Sequence, residues 1–278
     1  MATRTACIIG WPVGHSRSPV IHRFWLRQLG IAGDYVIAPV EPGKIGEYLA
    51  DFEKTGFVGG NVTIPHKEAA FAAVAEMDAA ARAIGAVNTI WLDDGRLLGA
   101  NTDAHGFLAN LDQEAPGWDA EPGEAVVLGA GGSARAVVWA LSERAFAPIH
   151  VVNRTAARAE ALAERFGSGI RPAGWENVSY LMKSAKILVN TTSLGMENQP
   201  PLPVDLSSAN QSLLVTDIVY VPLMTPVLVA ARTRGLRTVD GLGMLLHQAA
   251  PGFARWFGAP PEVSPELREA VLATMRTP

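Results

Sequence analysis

The sequence has little cysteine, no basic cluster and no long apolar segment. A single cysteine, Cys7, excludes an internal disulfide and a cysteine-based metal cage. Its neighbours are apolar, which predicts a small buried strand residue. The histidines are scattered without the spacing of metal ligands, so no metal is expected.

Membranes and nucleic acids are also excluded as expected partners. No apolar stretch approaches the roughly 20 residues of a membrane-spanning helix. The apolar run after Arg4 is interrupted by Pro12 and His15, which is too short for the core of a signal peptide. A net charge of −4 without a run of basic residues does not attract a polyanion. These absences predict a cytoplasmic protein.

Short apolar runs alternate with longer stretches of helical spacing along the 278 residues. This alternation predicts an α/β protein with mostly parallel sheets, and the length predicts two domains. The predicted strands are Thr5–Gly10, Tyr35–Val40, Asn61–Ile64, Val87–Leu92, Arg96–Ala100, Ala125–Gly129, Ile149–Asn153, Ile187–Asn190, Leu213–Val219 and Arg237–Asp240. The predicted helices are Pro19–Leu29, Thr102–Glu114, Ala134–Arg144, Ala156–Phe166, Pro226–Arg234, Met244–Phe257 and Ser264–Met275, and the Ala-rich segment Ala69–Ala86 has the composition of helix.

Two domain boundaries follow from this pattern. The first lies near residue 102, after a hairpin with the turn Asp93-Asp94-Gly95 and before a new βαβ unit at Ala125. The second lies near Asp240-Gly241, after which the chain is helical. We therefore predict an α/β domain at 1–102, a Rossmann-type domain at 103–240, and terminal helices at 241–278 that pack on the first domain.

A glycine-rich turn at 129–134 indicates a dinucleotide site. Gly129, Gly131 and Ala134 fit the G-x-G-x-x-G/A pattern between a hydrophobic strand and a helix. The glycines allow a tight turn and close backbone approach, and the helix start offers N–H groups to a pyrophosphate. A plain turn is the alternative.

The end of the next strand favours NADP over NAD. It reads Asn153-Arg154-Thr155, with Arg158 one turn later, and has no carboxylate to hold a ribose 2′-hydroxyl. Arginine forms strong charge-assisted hydrogen bonds with a 2′-phosphate. A solvated helix start that carries arginines by chance is the alternative.

Four polar segments suggest a second site. In the first, Ser16 and Ser18 flank a helix start that could hold a carboxylate, although capping by Ser18 with Pro19 at the first helical position explains them equally well. In the second, Pro65 is expected to start a helix with Lys67 in its first turn. A cation is unfavourable there, although a surface lysine remains possible.

The third and fourth segments, Gly85–Thr89 and Gly99–Asp103, place Asn88 and Asp103 beside predicted strands. Asn88 is also explained as a turn residue, and Asp103 as an acidic residue at a helix N-terminus.

Taken together, these motifs resemble those of the shikimate dehydrogenase family over nearly the whole chain. The matching segments are Gly10–Pro19, Asn61–Lys67, Gly85–Thr89, Asn101–Asp103, Gly129–Ala134, Asn153–Thr155, Asn190–Met196, Asp217–Tyr220 and Gly241–Gln248. The resemblance implies an NADP-dependent oxidoreductase that reversibly reduces 3-dehydroshikimate to shikimate in chorismate and aromatic amino acid biosynthesis. A monomer or homodimer is expected, and the sequence does not distinguish the two. Arg23 departs from the asparagine common in the family, which should affect a helix and not the chemistry.

The resemblance also implies a role for individual residues. Lys67 and Asp103 would form the catalytic pair in a cleft between the two domains, and Ser16 and Ser18 would hold the substrate carboxylate. Ring hydroxyls would contact Thr63, Asn88, Asp103 and Gln248, with Tyr220 closing the pocket. The implied cofactor-binding residues are Gly129, Ala130, Gly131, Gly132, Ser133, Ala134, Asn153, Arg154, Thr155, Arg158, Thr191, Ile218 and Gly241.

Three other functions compete with this one. A quinate/shikimate dehydrogenase that uses NAD or both cofactors would carry an acid where Asn153-Arg154-Thr155 stands. A catalytically idle relative that senses a ligand would not need both Lys67 and Asp103. An unrelated two-domain dehydrogenase would not require the full set of motifs.

Overall fold

The computed structural model describes residues 3–275. Residues 1–2 of the predicted segment 1–102, and residues 276–278 of the predicted segment 241–278, lie outside the described residues. The contacts of the chain form two compact units. One comprises the chain up to Gly106 together with the chain from Leu246 onward, and the other is Phe107–Leu245. The divisions fall within helices α5 (Asp103–Glu114) and α10 (Leu242–Phe257), a few residues after the predicted boundaries.

The first unit contains a six-stranded mixed sheet in the order β2-β1-β3-β5-β6-β4. Its strands are β1 Arg4–Gly10, β2 Gly33–Pro39, β3 Gly59–Val62, β4 Glu76–Met77, β5 Thr89–Asp93 and β6 Arg96–Ala100. Its helices are α1 Ser18–Gln28, α2 Ile45–Ala50, α3 Lys67–Ala73, α4 Ala79–Ile84 and α11 Pro265–Ala273. The pairs β1–β2, β1–β3 and β4–β6 are parallel, whereas β5 runs antiparallel to both β3 and β6.

This strand order brings several chain segments to one edge of the sheet. The parallel strands β1 and β3 both end there. Because β5 is antiparallel to β3, its first residue, Thr89, pairs with Asn61. Strand β6 returns to the same edge, since Ala100 also pairs with Thr89. The segments that follow β1, β3 and β6, and the segment that precedes β5, therefore meet at this edge.

The two faces of the sheet are covered differently. A hydrophobic cluster that includes Cys7, Ile9 and Phe52 covers one face, so the prediction of a buried Cys7 is confirmed. On the other face α1 and α10 supply an aromatic group, in which His22 stacks on Tyr35 with a centroid distance of 4.0 Å. Trp256 anchors α10 by donating a hydrogen bond from Nε1 to the carbonyl oxygen of Ile90 at 3.0 Å.

Local sequence explains the β5–β6 hairpin. Asp93 pairs with Arg96, which leaves a two-residue loop of Asp94 and Gly95. Both loop residues have positive φ angles, 47° and 72°. This is the geometry that an Asp-Gly pair favours in a tight hairpin turn, so the predicted hairpin is confirmed.

The Ala-rich segment Ala69–Ala86 contains helix, as its composition predicts, and the short strand β4, which pairs with β6, separates α3 from α4. The predicted start of the preceding helix was wrong. Helix α3 begins at Lys67 and not at Pro65, since the His66 N–H closes a turn onto the Thr63 carbonyl oxygen at 2.9 Å.

The second unit contains an all-parallel sheet in the order β12-β11-β10-β7-β8-β9. Its strands are β7 Ala125–Leu128, β8 Ile149–Val152, β9 Ile170–Ala173, β10 Ile187–Asn190, β11 Leu214–Asp217 and β12 Arg237–Val239. Its helices are α6 Gly132–Glu143, α7 Ala156–Phe166, α8 Val178–Leu181 and α9 Pro226–Thr233. This order, which reverses between β7 and β10, is the doubly wound Rossmann arrangement that the alternating pattern predicts.

Strand β9 was missed in the sequence. It carries Pro172 and is exposed along its middle, so it lacks the apolar run of the central strands. As an outermost strand of the sheet it pairs with β8 on one side, and proline is tolerated at such an edge.

In residues 3–275 no helix is long and apolar enough to cross a membrane.

Candidate functional site

The residues Lys67 and Asp103 form an ion pair at the strand-end edge of the first unit. Lys67 is the first residue of α3 and Asp103 the first of α5. Lys67 Nζ lies 2.6 Å from Asp103 Oδ2, and the side chains are 28% and 14% exposed. Both side chains are therefore mostly, but not completely, shielded from solvent.

The side chain of Asn101 fixes the start of α5. Its Oδ1 accepts the Asp103 N–H at 3.1 Å, and its Nδ2 donates to the Ala86 carbonyl oxygen at 3.0 Å. A short-range bond of this type satisfies an N–H group that the first helical turn leaves unpaired. In the segment Asn101–Asp103, the asparagine therefore has a structural role, because its side chain holds the turn that places Asp103 at the start of α5.

The Asn88 amide has a defined orientation. Its Oδ1 accepts the backbone N–H of Thr102 at 2.8 Å, and because that group can only donate, the amide nitrogen must face the other way. Asn88 Nδ2 accordingly donates to Asp103 Oδ1 at 2.9 Å and lies 3.4 Å from Gln248 Oε1 on α10. Four of the predicted site residues, Lys67, Asn88, Asp103 and Gln248, are thus brought together.

Ser16, Ser18 and Thr63 lie on the segments that follow β1 and β3. The alternative prediction that Ser18 caps α1 is wrong, because the helix begins at Ser18 itself. Ser16 Oγ accepts the Ser18 N–H at 3.2 Å. The Thr63 N–H donates to the Ile9 carbonyl oxygen at 2.8 Å, which holds the two segments side by side. Ser18 is buried, whereas Ser16 and Thr63 are partly exposed.

The glycine turn of the second unit has room for a bound group. Gly129 has φ of +104°, and a Cβ atom there would lie 2.7 Å from Thr191 Oγ1. A Cβ atom on Gly131 would meet nothing within 4 Å. Helix α6 follows with Gly131 as its N-cap and no side-chain cap, and Ala134 is fully buried. Uncapped N–H groups beside open space fit a pyrophosphate.

Two exposed arginines follow β8. Arg154 and Arg158 lie at the start of α7, where the Asn153 amide holds the turn by donating to the Thr155 carbonyl oxygen at 2.9 Å. In the described part of the chain neither guanidinium pairs with a carboxylate. Both charges are therefore available to a phosphate.

The remaining predicted residues also lie in the second unit. Thr191 Oγ1 donates to the Leu128 carbonyl oxygen at 2.7 Å, beside the glycine turn. Gly241 packs so closely on Ile218 that a Cβ atom would lie 2.4 Å from its carbonyl oxygen. Tyr220 is half-buried in the loop after β11 and belongs to this unit, unlike the other predicted substrate contacts.

Sequence reasoning missed the buried carboxylate of Asp217. Its oxygens accept hydrogen bonds from Asn190 Nδ2 at 3.0 Å, the Val219 N–H at 3.0 Å and Thr225 Oγ1 at 2.7 Å. Burial raises the pKa of this carboxyl, an effect that these donors oppose. Asp217 pairs with Asn190 across neighbouring parallel strands, so two polar residues ending adjacent strands were the available signal.

The chain matches family models along most of its length. Residues 8–90 match the shikimate dehydrogenase substrate binding domain, residues 113–223 match shikimate / quinate 5-dehydrogenase, and residues 241–272 match the shikimate 5′-dehydrogenase C-terminal domain.

Named relatives and solved structures agree with these matches. A shikimate dehydrogenase (NADP(+)) from Azorhizobium caulinodans is 58% identical over 272 residues, which cover 98% of this chain and 97% of that protein. One from Nitrobacter hamburgensis is 56% identical and covers 99% and 96%. The structure of shikimate 5-dehydrogenase from Thermus thermophilus with NADP(H) and shikimate has a TM-score of 0.87 at 38% identity, covering 98% and 99%. Quinate dehydrogenase from Corynebacterium glutamicum with NAD has a TM-score of 0.90 at 30% identity, covering 98% and 99%. The chain belongs to the shikimate dehydrogenase family.

Proposed function

We propose that this chain is an NADP-dependent oxidoreductase that interconverts 3-dehydroshikimate and shikimate, with Lys67 and Asp103 as its catalytic pair. The observation that carries the residue assignment is the ion pair of 2.6 Å held at the strand-end edge by Asn88. The activity and the cofactor follow from relatives at 58% and 56% identity over nearly the full chain.

The residues of the second unit fit NADP. The N–H groups at the start of α6 would hold the pyrophosphate, with the open space at Gly131 admitting it. Arg154 and Arg158, assisted by Asn153 and Thr155, would hold the 2′-phosphate. When bound, the reduced nicotinamide supplies a hydride to the C3 carbonyl carbon of the substrate.

Side chains of the first unit then stabilise the charge that develops on the C3 oxygen and supply the proton that this oxygen takes up. As the carbonyl is reduced, negative charge grows on that oxygen, and the Lys67 ammonium beside it stabilises this charge. The proton that completes the hydroxyl comes from the Lys67–Asp103 pair. Asp103 also orients the ammonium through the short bond between Nζ and Oδ2. Such preorganised donors lower the barrier because they need no rearrangement during the reaction.

The other predicted contacts bind and orient the ring. Ser16 and Ser18 would hold the carboxylate, and Thr63, Asn88 and Gln248 would hold the hydroxyls, with Tyr220 as a closing contact. We propose that residues 1–102 and the terminal helices at 241–278 provide the substrate side and 103–240 the cofactor side. A cytoplasmic location and a monomeric or homodimeric state belong to the same proposal, and cell fractionation and light scattering test them.

A quinate dehydrogenase that uses NAD is the second candidate, because that fold matches with a TM-score of 0.90. The absence of an acid at Asn153-Arg154-Thr155 opposes it. Steady-state rates at the nicotinamide absorbance band, with NADP or NAD and shikimate or quinate, separate the two candidates. The wild type should prefer NADP and shikimate strongly, and Lys67→Ala should nearly abolish turnover while retaining most binding. Robust NAD-linked oxidation of quinate would overturn the substrate assignment.

A further inference from the structure

A chain of buried hydrogen bonds ends at Asn88, whose amide also contacts Asp103. It joins Tyr35 on β2, Asn61 on β3 and Thr89 on β5 to the Asn88 amide, and we call these four residues the Tyr35 relay. Each is 3% exposed or less, although all are polar. Buried polar groups are costly unless satisfied, so a connected set beside a functional site requires a physical reason.

The direction of each bond in the Tyr35 relay follows from chemistry. Asn61 Nδ2 lies 3.2 Å from the Asn88 carbonyl oxygen, which can only accept, so the nitrogen assignment of this amide is fixed. Asn61 Oδ1 therefore faces the Tyr35 hydroxyl at 2.7 Å, and the hydroxyl must donate. Burial raises the pKa of Tyr35 well above its ordinary value, which keeps the hydroxyl protonated as a donor.

The remaining bonds run in the same direction. Asn61 Nδ2 also donates to Thr89 Oγ1 at 3.2 Å, and the Thr89 hydroxyl lies 3.1 Å from Asn88 Oδ1. It also lies 3.2 Å from the Thr102 hydroxyl, which is itself 3.2 Å from Asn88 Oδ1, so Thr89 donates toward that oxygen either directly or through Thr102. Asn88 Nδ2 then donates to Asp103 Oδ1. Donors that follow one another in this way polarise each other, so each bond strengthens the next.

We propose that Tyr35, Asn61 and Thr89 are positioning residues for the reaction, acting through Asn88 on the carboxylate of Asp103. The Tyr35 relay keeps the Asn88 amide rigid and its N–H group polarised toward Asp103 Oδ1. The second oxygen, Oδ2, is thereby left to Lys67. The kinetic part of this inference rests on the proposed function, whereas the geometric part does not.

The test uses pairs of variants that differ by a single hydroxyl. Tyr35→Phe and Thr89→Val each remove one bond of the Tyr35 relay with little change of volume, and Thr89→Ser keeps the hydroxyl. Tyr48→Phe is the matched control, since Tyr48 lies on α2 in the same unit and packs against the hydrophobic cluster on the other face of the sheet. All are compared with the wild type for kcat, KM and the pH dependence of kcat/KM.

We expect kcat to fall roughly three- to tenfold in Tyr35→Phe and in Thr89→Val, the range of one lost buried hydrogen bond. Because both substitutions interrupt the same chain of hydrogen bonds, kcat of the double variant should stay within about twofold of kcat of the less active single variant. The acid limb of kcat/KM should move to higher pH, and Thr89→Ser and Tyr48→Phe should resemble the wild type. Multiplying effects with an unmoved pH profile would show a purely structural role and overturn the proposal.

A measurement without turnover separates this inference from the proposed function. The side-chain amide resonance of Asn88 should shift in Tyr35→Phe and Thr89→Val but not in Tyr48→Phe. An unchanged resonance in both relay variants would refute the Tyr35 relay even if the enzyme is active. If the wild type fails to turn over 3-dehydroshikimate, the proposed function fails and this resonance still decides the relay.

Discussion

The carboxylate of Asp103 accepts from two donors at once, and this makes Asp103→Asn an informative substitution. Lys67 Nζ lies 2.6 Å from one oxygen and Asn88 Nδ2 lies 2.9 Å from the other. An amide of the same shape has a single acceptor oxygen. Whichever way it turns, its NH2 group faces either the ammonium or the Asn88 amide, and one donor loses its partner.

The size of the effect can be worked from these contacts. Leaving a shielded donor unsatisfied costs about 1–3 kcal/mol. The ion pair is partly exposed to solvent, so its loss adds only about 1 kcal/mol. A total of about 2–4 kcal/mol that bears on the transition state lowers kcat by roughly 30- to 1,000-fold. KM for shikimate should change less, because most ring contacts remain.

Steady-state kinetics and shikimate binding by calorimetry measure the two effects separately. Asp51→Asn is the matched control, since Asp51 forms an exposed ion pair of 2.7 Å with Lys54 in the same unit. That variant should keep wild-type kcat. A kcat for Asp103→Asn within threefold of the wild type would refute the argument that both carboxylate oxygens are required.

The remaining predictions concern stability and cofactor binding. Burial lowers the pKa of His22 to about 3, so it folds neutral and stabilises the protein above its unfolded pKa of about 6.5. This stability is lost as the pH falls from about 6.5 toward 3, by about 2–3 kcal/mol at pH ~4.5, and His22→Phe should flatten the slope in urea unfolding. An unaltered slope would contradict the burial argument. Arg154→Ala and Arg158→Ala should each raise KM for NADP at least about tenfold and leave KM for NAD nearly unchanged. Equal changes for both cofactors would remove these residues from the 2′-phosphate site. Gly131→Ala should weaken NADP binding at unchanged thermal stability, whereas Gly129→Ala should lower both, with about 1–3 kcal/mol of strain. Calorimetric titration and thermal melts check this contrast, and equal melting shifts would contradict it.

Parts of the fold and of the site were readable from the sequence because they depend on local chemistry. The Asp94-Gly95 turn and the glycine turn at 129–134 each act within a few residues of the chain. The absence of an acid after β8 favoured NADP for the same reason, because an acid at this strand end would bind the ribose 2′-hydroxyl of NAD.

The mixed first sheet could not be read in this way. Strand β4 is two residues long and β5 is antiparallel to β3, and neither fact leaves a periodicity that distinguishes it from a parallel strand or a helix. The start of α3 at Lys67 depended on a turn bond between His66 and Thr63, which competed with the preference of proline for helix starts.

By itself the sequence determined the α/β class and the Rossmann arrangement of the second unit, and it named the groups that we propose carry the chemistry. Apolar periodicity and glycine or arginine at strand ends act over short distances along the chain. Only the tertiary structure decided which polar groups touch. Lys67 and Asp103 are 36 residues apart, and Asn88 and Gln248 are 160 apart. The orientation of the Asn88 amide, the Tyr35 relay and the burial of Asp217 arise when strands distant in sequence meet at one sheet edge. There each buried donor must find an acceptor, and that requirement is met in space and leaves no pattern along the chain.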